Sequence, residues 1–318
     1  MMMMNAPSAE DIRAAAVRIG GSVRRTPVMT SRSLDELAGA SCFVKCENLQ
    51  TSGSFKIRGA TNFALSVPEA DRARGFVAFS SGNHGQAVAL AAQRLGVPAT
   101  IIMPEDAPKS KLQATRDRGA TVITYDRFRE DREVIGRRVS GESGATLVPP
   151  FDHPWTMAGQ GTLALELLED VPDLDTLLVC VGGGGMVSGC SIIAKAMRPA
   201  IEVYGVEPEL ANDTWLSMKA GERVKVDASG TMADGLRSPM PGELTFAVMR
   251  RLLSGVLLVT EEEIRAAMRL VLARMKLLAE PSGAVCVAAA MAGKLPAGAR
   301  RVGLVISGGN VDLDLLGL

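Results

Sequence analysis

The chain has 318 residues, enough for one large core or two modest lobes, and its 47% hydrophobic and 22% charged content is that of an ordinary globular protein. Basic and acidic residues both number 35, so no net field steers the chain to polyanions or lipid, and 4% aromatics is too few for a base-stacking face. Cys42, Cys46, Cys180, Cys190 and Cys286 lack CxxC spacing and read as reduced, mostly buried thiols; the opening MMMMNAPSAED has no leader pattern, and no long apolar run follows, so a cytoplasmic protein is expected.

In chain order, Ser8 caps a helix expected over 8–20, with Glu10 and Asp11 in the first turn, where the helix dipole favours anions. Arg25-Thr26-Pro27 breaks that pattern, and SCFVKCE (41–47) alternates as a strand does. A helix opens from the Ser/Gly-rich turn in TSGSFKIRGA (51–60) and carries Lys56 between Phe55 and Ile57. Strands FVAFS (76–80), ATIIM (99–103), TVITY (121–125) and ATLVP (145–149) then alternate with helices over 83–95, 109–118 and near 127–140. A second series follows: an apolar helical face over 159–168, strand TLLVCV (176–181), and a helix from Gly185 to Met197. After it come strands AIEVYGVEP (200–208) and GVLLVT (255–260), a long amphipathic helix over 261–280, and strand RVGLVIS (301–307). Short apolar strands alternating with helices imply an α/β fold with parallel sheets covered on both faces. Two lobes are expected, with the site in the crevice between them at the carboxyl ends of strands.

GGGG (182–185) follows a strand and opens a helix; glycines let backbone amides turn towards a ligand and the helix N-terminus adds positive potential, which suits a phosphate. A dinucleotide fold is the rival, because Glu207 ends the next strand where a ribose-binding acid would lie. GxGxxG fails, however, with Val187 and Ser188 standing where glycine or alanine is needed. SSGNHG (80–85) likewise follows a strand and opens a helix: its amides suit a carboxylate, Asn83 a ring hydroxyl and Ser81 a proton transfer. His84 reads as structural; with His153 the only other histidine, a Ser–His–Asp triad lacks support, and GxSxG is absent around Ser307. Ser307 ends a strand ahead of a glycine pair, where a hydroxyl can meet a pyridine nitrogen without protonating it. A lysine desolvated beside apolar neighbours becomes a usable nucleophile. Lys56, a phosphate nest and polar groups for a ring together suggest a pyridoxal-phosphate site.

SFKIRGA, SSGNHGQA, AGQGT (158–162), GGGGMVSG (182–189), EPSGA (280–284) and SGGNVDL (307–313) stand in the order and spacing of the fold-type-II pyridoxal-phosphate enzymes. The chain resembles the serine/threonine dehydratase and serine racemase group over essentially its whole length. The resemblance implies a two-lobed, tryptophan synthase β-like architecture, with a large lobe of 1–65 and 150–318 and a small lobe of 66–149. It implies Lys56 as Schiff-base lysine and proton-transfer base, Phe55 beside it, phosphate binding by Gly182, Gly183, Gly184, Gly185 and Met186, Asn83 at the ring hydroxyl and Ser307 at the ring nitrogen. Ser80, Ser81, Gly82, Asn83, His84, Asp234 and Gly235 are implied on the substrate side.

Ser81 matches the serine that lies across the cofactor from the lysine in serine racemases, which permits racemisation. Phe151 looks more like the dehydratases, and the balance leans to elimination of water from a β-hydroxy amino acid with possible side racemisation. Threonine, serine, threo-3-hydroxyaspartate and phenylserine all share the reacting atoms. Glu207 and Asp213, with a carbonyl near Ala211, match the group's divalent-cation site, and carboxylates with a carbonyl suit Mg²⁺, Mn²⁺ or Ca²⁺; exposed acids at a strand end are the alternative. Arg132 falls near an arginine that contacts substrate carboxylates in racemase-like enzymes, though its local context is a charged, solvated helix. A homodimer acting on a small amino acid is the family expectation.

Overall fold

Ten strands form two sheets: β1 (Val28–Met29), β2 (Ser41–Cys46), β3 (Phe76–Phe79), β4 (Ala99–Pro104), β5 (Thr121–Tyr125), β6 (Thr146–Leu147), β7 (Thr176–Cys180), β8 (Glu202–Pro208), β9 (Gly255–Val259) and β10 (Arg301–Ile306). This is a computed structural model describing residues 5–80, 82–107, 109–126 and 129–312, with nothing said of the side chains of 109–111. The larger sheet runs β1-β2-β10-β7-β8-β9 and is parallel except for β1, which pairs antiparallel with β2. The smaller sheet runs β5-β4-β3-β6 and is parallel throughout. Parallel strands need helical crossovers, so both faces are covered and the strands read as continuous apolar runs; all five residues of β7 are buried.

One large apolar core surrounds the first sheet, with Val179, Val206, Leu304 and Val305 at its centre. On one face of the smaller sheet, Ile101 and Phe76 pack with the helices Lys56–Ser66 and Asn83–Leu95; on the other, Val77 and Ile102 meet Ile135 of the helix Arg132–Ser143. The helix Lys56–Ser66 belongs to both regions. Its Ile57, Phe63 and Ala64 join the smaller sheet's core, while Arg58 points the other way, into the region behind the larger sheet. Among the described residues no helix is long and apolar enough to cross a membrane.

Local signals placed most elements. Ser8 and Asp11 form a reciprocal capping box ahead of Ala9–Ile19, and Thr260 with Glu263 forms another ahead of Glu261–Leu270. Four expectations differ. The strand read over 145–149 is confined to Thr146–Leu147. The charged helix begins at Arg132, not near 127, because Asp131 accepts from the amides of Glu133 and Val134 and so fixes the start; residues 127 and 128 lie outside those described. The helix read over 159–168 extends from Pro154 to Asp170, capped by the Nδ1 of His153. The long helix over 261–280 does not persist. It passes into a π turn at Val271–Met275 and stops at Lys276, which has φ 60°, and a separate buried helix, Pro281–Met291, follows. Proline disfavours the helical conformation in the residue before it and fits the first turn of a new helix, so Glu280 becomes a boundary.

Candidate active site

Strands β3, β7 and β10 each end at the same cleft, and the helix Lys56–Ser66 begins there. The cleft has a cavity volume of about 170 Å³ and is partly open to solvent. Lys56 is half-buried in its wall; its Nζ donates to the Pro150 carbonyl at 2.9 Å and stands 5.2 Å from the centre of the Phe55 ring. Burial draws its pKa down to about 8, since an ammonium is disfavoured where water is scarce. Behind it, the fully buried Arg58 donates to Glu47 at 2.8 Å and to Glu166 at 2.7 Å, and Lys45 completes the cluster at 2.7 Å from Glu166. Burial alone would raise the Glu47 carboxyl, but the Arg58 guanidinium beside it holds it below the usual range. Two cations balance two carboxylates, and breaking one pair leaves an uncompensated buried charge.

The glycine turn ends β7. Gly184 has φ 91°, and a Cβ there would stand 2.9 Å from Thr245 Cβ; one on Gly183 would stand 2.3 Å from the Phe151 ring, and one on Gly185 2.8 Å from Phe151 Cα. Thr245 Oγ1 holds the Gly183 carbonyl at 2.7 Å. The helix Gly185–Met197 makes its first bond from Ser188 N–H to the Gly184 carbonyl, so the amides ahead of it begin the helix without intrahelical partners. With Gly182 lining the cleft and Met186 buried in its wall, the turn is a backbone cradle for an anion.

The second turn ends β3. Ser80 Oγ accepts from Gly82 N–H at 3.1 Å, and Asn83 opens the helix Asn83–Leu95. Asn83 Nδ2 donates to Glu280 at 2.6 Å and its Oδ1 accepts from Asn310 at 2.8 Å. His84 is buried with Nε2 2.9 Å from the Val148 carbonyl, and burial lowers its pKa to about 3, so it is neutral and no proton carrier. Ser81 lies outside the described residues. Asp234 and Gly235 form part of the opposite wall, where Gly235 N–H donates to Ser282 Oγ at 2.9 Å. Ser307 is buried at the end of β10, and its carbonyl accepts from Phe55 N–H at 3.0 Å. Arg132 is exposed, yet it lines the cleft, its guanidinium 5.5 Å from the Phe79 ring.

A match between a sequence profile described as pyridoxal-phosphate dependent enzyme and residues 19–308 agrees with this cleft. The chain belongs to that family. It is 48% identical to the L-threo-3-hydroxyaspartate ammonia-lyase of Pseudomonas sp, over 98% of each chain, and 45% identical to the serine racemase of Schizosaccharomyces pombe, over 97% of this chain and 95% of that one. Its fold superposes on maize serine racemase with a TM-score of 0.95 at 42% identity, covering 98% of this chain and 96% of that structure. Pyridoxal phosphate is therefore the family's cofactor, and the parallel-rich, helix-covered sheets are those of its fold-type-II members.

Glu207 and Asp213 do not line this cleft. Glu207 is the penultimate residue of β8 and Asp213 opens the helix Asp213–Ala220, with Ala211 in the short turn between them. Glu207 accepts from the amides of Thr214 and Trp215 at 3.1 and 2.9 Å, and both oxygens of Asp213 are buried without a partner. Burial raises both carboxyls, and Asp213 adds repulsion to Glu207. Among the described residues no three His, Cys, Asp or Glu side chains gather as a metal cluster; the carboxylates here are a pair. The sequence reading gave no role to Glu280, Ser282, Pro150 or Cys180, all on the cleft wall. The acid directly ahead of the Pro-Ser-Gly helix start was the available signal for the first two.

Proposed function

We propose that the protein is a pyridoxal-phosphate-dependent ammonia-lyase that removes water from a β-hydroxy-α-amino acid and yields a 2-keto acid and ammonia. The observation that carries this reading is Lys56, a lysine drawn to about 8 by burial in the same cleft as a glycine turn shaped for an anion. The cofactor fits the residues present: Cβ atoms on Gly183, Gly184 or Gly185 would collide with their surroundings, so the cradle is backbone, and Asn83 and Ser307 offer polar atoms to a ring. Gly182–Met186 would hold the phosphate, Asn83 the ring hydroxyl and Ser307 the ring nitrogen, with Phe55 beside Lys56. When bound, pyridoxal phosphate supplies the electron sink for the pair left at Cα.

The chain's own groups do the rest. Lys56, as a free amine, takes the Cα proton, and a pKa near 8 leaves part of it unprotonated at neutral pH. The helix start at Ser80, Gly82, Asn83 and His84 would hold the substrate carboxylate, and Asp234 and Gly235 would close the other wall. Hydroxide leaves Cβ as water with the proton that Lys56 took from Cα, the resulting enamine tautomerises to the imine, and a second water hydrolyses that to the keto acid and ammonia, so atoms balance. Within the class, the exposed Arg132 beside the cleft and the likeness to the Pseudomonas enzyme favour a second carboxylate on the substrate, as in threo-3-hydroxyaspartate. Serine racemisation is the second reading, supported by the likeness to the yeast racemase and by Ser81 in the sequence.

The division into a large lobe of 1–65 and 150–318 and a small lobe of 66–149 goes with this reading and is supported by the two separate sheets. A cytoplasmic homodimer goes with it as well. A divalent cation, Mg²⁺, Mn²⁺ or Ca²⁺, fits Glu207, Asp213 and the carbonyl of Ala211, because the unpartnered Asp213 oxygens are hard donors that burial leaves without compensation. It would supply structural bracing away from the reacting atoms.

The test compares L-threonine, L-serine, D-serine and threo-3-hydroxyaspartate with purified enzyme, pyridoxal phosphate and Mg²⁺. Keto acid should dominate, fastest from threo-3-hydroxyaspartate, and Lys56→Ala should abolish it. A serine enantiomer formed faster than keto acid establishes the second reading instead, and turnover by Lys56→Ala at the wild-type rate overturns both.

A further inference from the structure

Glu280 is a buried acid on the wall of the cleft, 4% exposed, and the fold goes to some length to place it. The π turn at Val271–Met275 and the left-handed Lys276 end one helix early, and the chain then runs irregularly to Pro281. Asn48 Nδ2 holds the Leu278 carbonyl at 3.0 Å, and Glu280 N–H donates to the Gly308 carbonyl at 3.1 Å. Both glycines after Ser307 make room for this segment: a Cβ on Gly309 would stand 2.6 Å from the Leu278 carbonyl, and one on Gly308 would stand 2.3 Å from Glu280 Oε1.

The carboxylate then meets Asn83 at 2.6 Å, and Asn83 in turn meets Asn310, whose Nδ2 is 2.8 Å from Asn83 Oδ1 and 2.9 Å from the Ser52 carbonyl. A carboxylate accepts and does not donate, so the amide nitrogen of Asn83 must face Glu280. Asn310 is fixed the same way, because the Ser52 carbonyl only accepts; its nitrogen therefore faces both Ser52 and Asn83 Oδ1. The Asn83 amide has no freedom to turn over. Its nitrogen carries two hydrogens, one is committed to Glu280, and the other remains for a ligand in the cleft.

We propose that Glu280 is a positioning residue that locks the orientation of the Asn83 amide, so that the cofactor ring oxygen meets an N–H donor and never the amide oxygen. The proposal rests on the reading that pyridoxal phosphate lies in this cleft with its ring hydroxyl at Asn83. Glu280→Gln keeps the shape but can present its own NH₂, and once Asn310→Leu also removes the N–H that holds Oδ1, Asn83 is free to turn over and offer Oδ1 instead.

The test measures the visible absorption of the holoenzyme, its pH dependence and the cofactor dissociation constant in wild type, Asn310→Leu, Asn83→Ala and the double variant Glu280→Gln with Asn310→Leu. Asn310→Leu alone leaves the Glu280 carboxylate to fix the amide and should keep the band in place. In the double variant the absorption band and its pH profile should move in the direction seen for Asn83→Ala, and cofactor affinity should fall on the order of tenfold, the effect of one lost charge-assisted hydrogen bond. Glu280→Ala with Asn310→Leu keeps the test open should the first double variant fail to fold. A lowered melting temperature with an unmoved band in the double variant that folds assigns Glu280 a purely structural role and overturns the proposal. An unmoved band in Asn83→Ala with the cofactor bound overturns the placement of the ring itself, and the proposal with it.

Discussion

Two strand-to-helix turns border the cleft, Gly182–Gly185 after β7 and Ser80–Asn83 after β3, and they differ in what surrounds them. The first is packed on every side: Phe151, Thr245 and Met249 stand where Cβ atoms on Gly183 and Gly184 would go. At Gly82 in the second, a Cβ would meet no described neighbour within 4 Å. The first turn is dimensioned by neighbours from distant parts of the chain, so its shape is common property of the fold. The second takes its character from its own side chains, so its residues can change while the packing of the first stays intact.

The sharpest way to break this comparison is to put the same methyl group into both turns. Gly184→Ala combines a left-handed backbone with overpacking and should cost about 2–4 kcal/mol, with loss of cofactor binding. Gly82→Ala should cost less than about 1 kcal/mol. Denaturant midpoints and cofactor titrations check both, and equal costs would end the distinction. A smaller effect is expected from the carboxylate pair at the end of β8, the strand beside the one that carries the glycine turn. Mg²⁺ at tenfold above its dissociation constant should stabilise the protein by about 1.4 kcal/mol, EDTA should remove the gain, and Asp213→Asn should not respond. Melting curves in each condition decide it.

The smallest effect concerns Lys56, which shares the cleft with both turns. In the apoprotein below pH 8 its amine is protonated folded or unfolded, and the folded state carries the full cost of burying the charge. Between about 8 and 10.5 the folded protein sheds the proton while the unfolded chain keeps it, so stability rises with pH across that window. Lys56→Met apoprotein should therefore melt above wild type at pH 7, with the gap narrowing towards pH 10.5. Solvent reaching the half-buried amine keeps the difference modest.

Much of the site was legible because its pieces are local. Each strand-to-helix turn carries its own signal in consecutive residues, and the helices Asn83–Leu95 and Gly185–Met197 have the bounds that the sequence suggests. The helix Pro281–Met291 was not visible, because residues 281–290 are all buried and a helix apolar all round shows no periodicity. The end of the preceding helix was hidden too, since Lys276 adopts the left-handed conformation without being glycine. Glu280 owes its role to partners 197 residues away at Asn83 and at Gly308, which no spacing rule reaches. Arg132 reads locally as part of a solvated helix and is exposed; the resemblance set it near a substrate-side arginine, and the fold brings it to the cleft.

The position of β10 has a consequence for how the protein is made. This strand, residues 301–306, lies between β2 and β7 in the middle of the larger sheet. A ribosome emitting the chain from its N-terminus therefore delivers β2 and β7 long before the strand that joins them, and each must wait with an open edge. Contacts so distant in sequence slow closure. Ser307 arrives with that same strand, so the cleft gains this part of its wall only once β10 has emerged, and the waiting edges are the natural place for a chaperone to act.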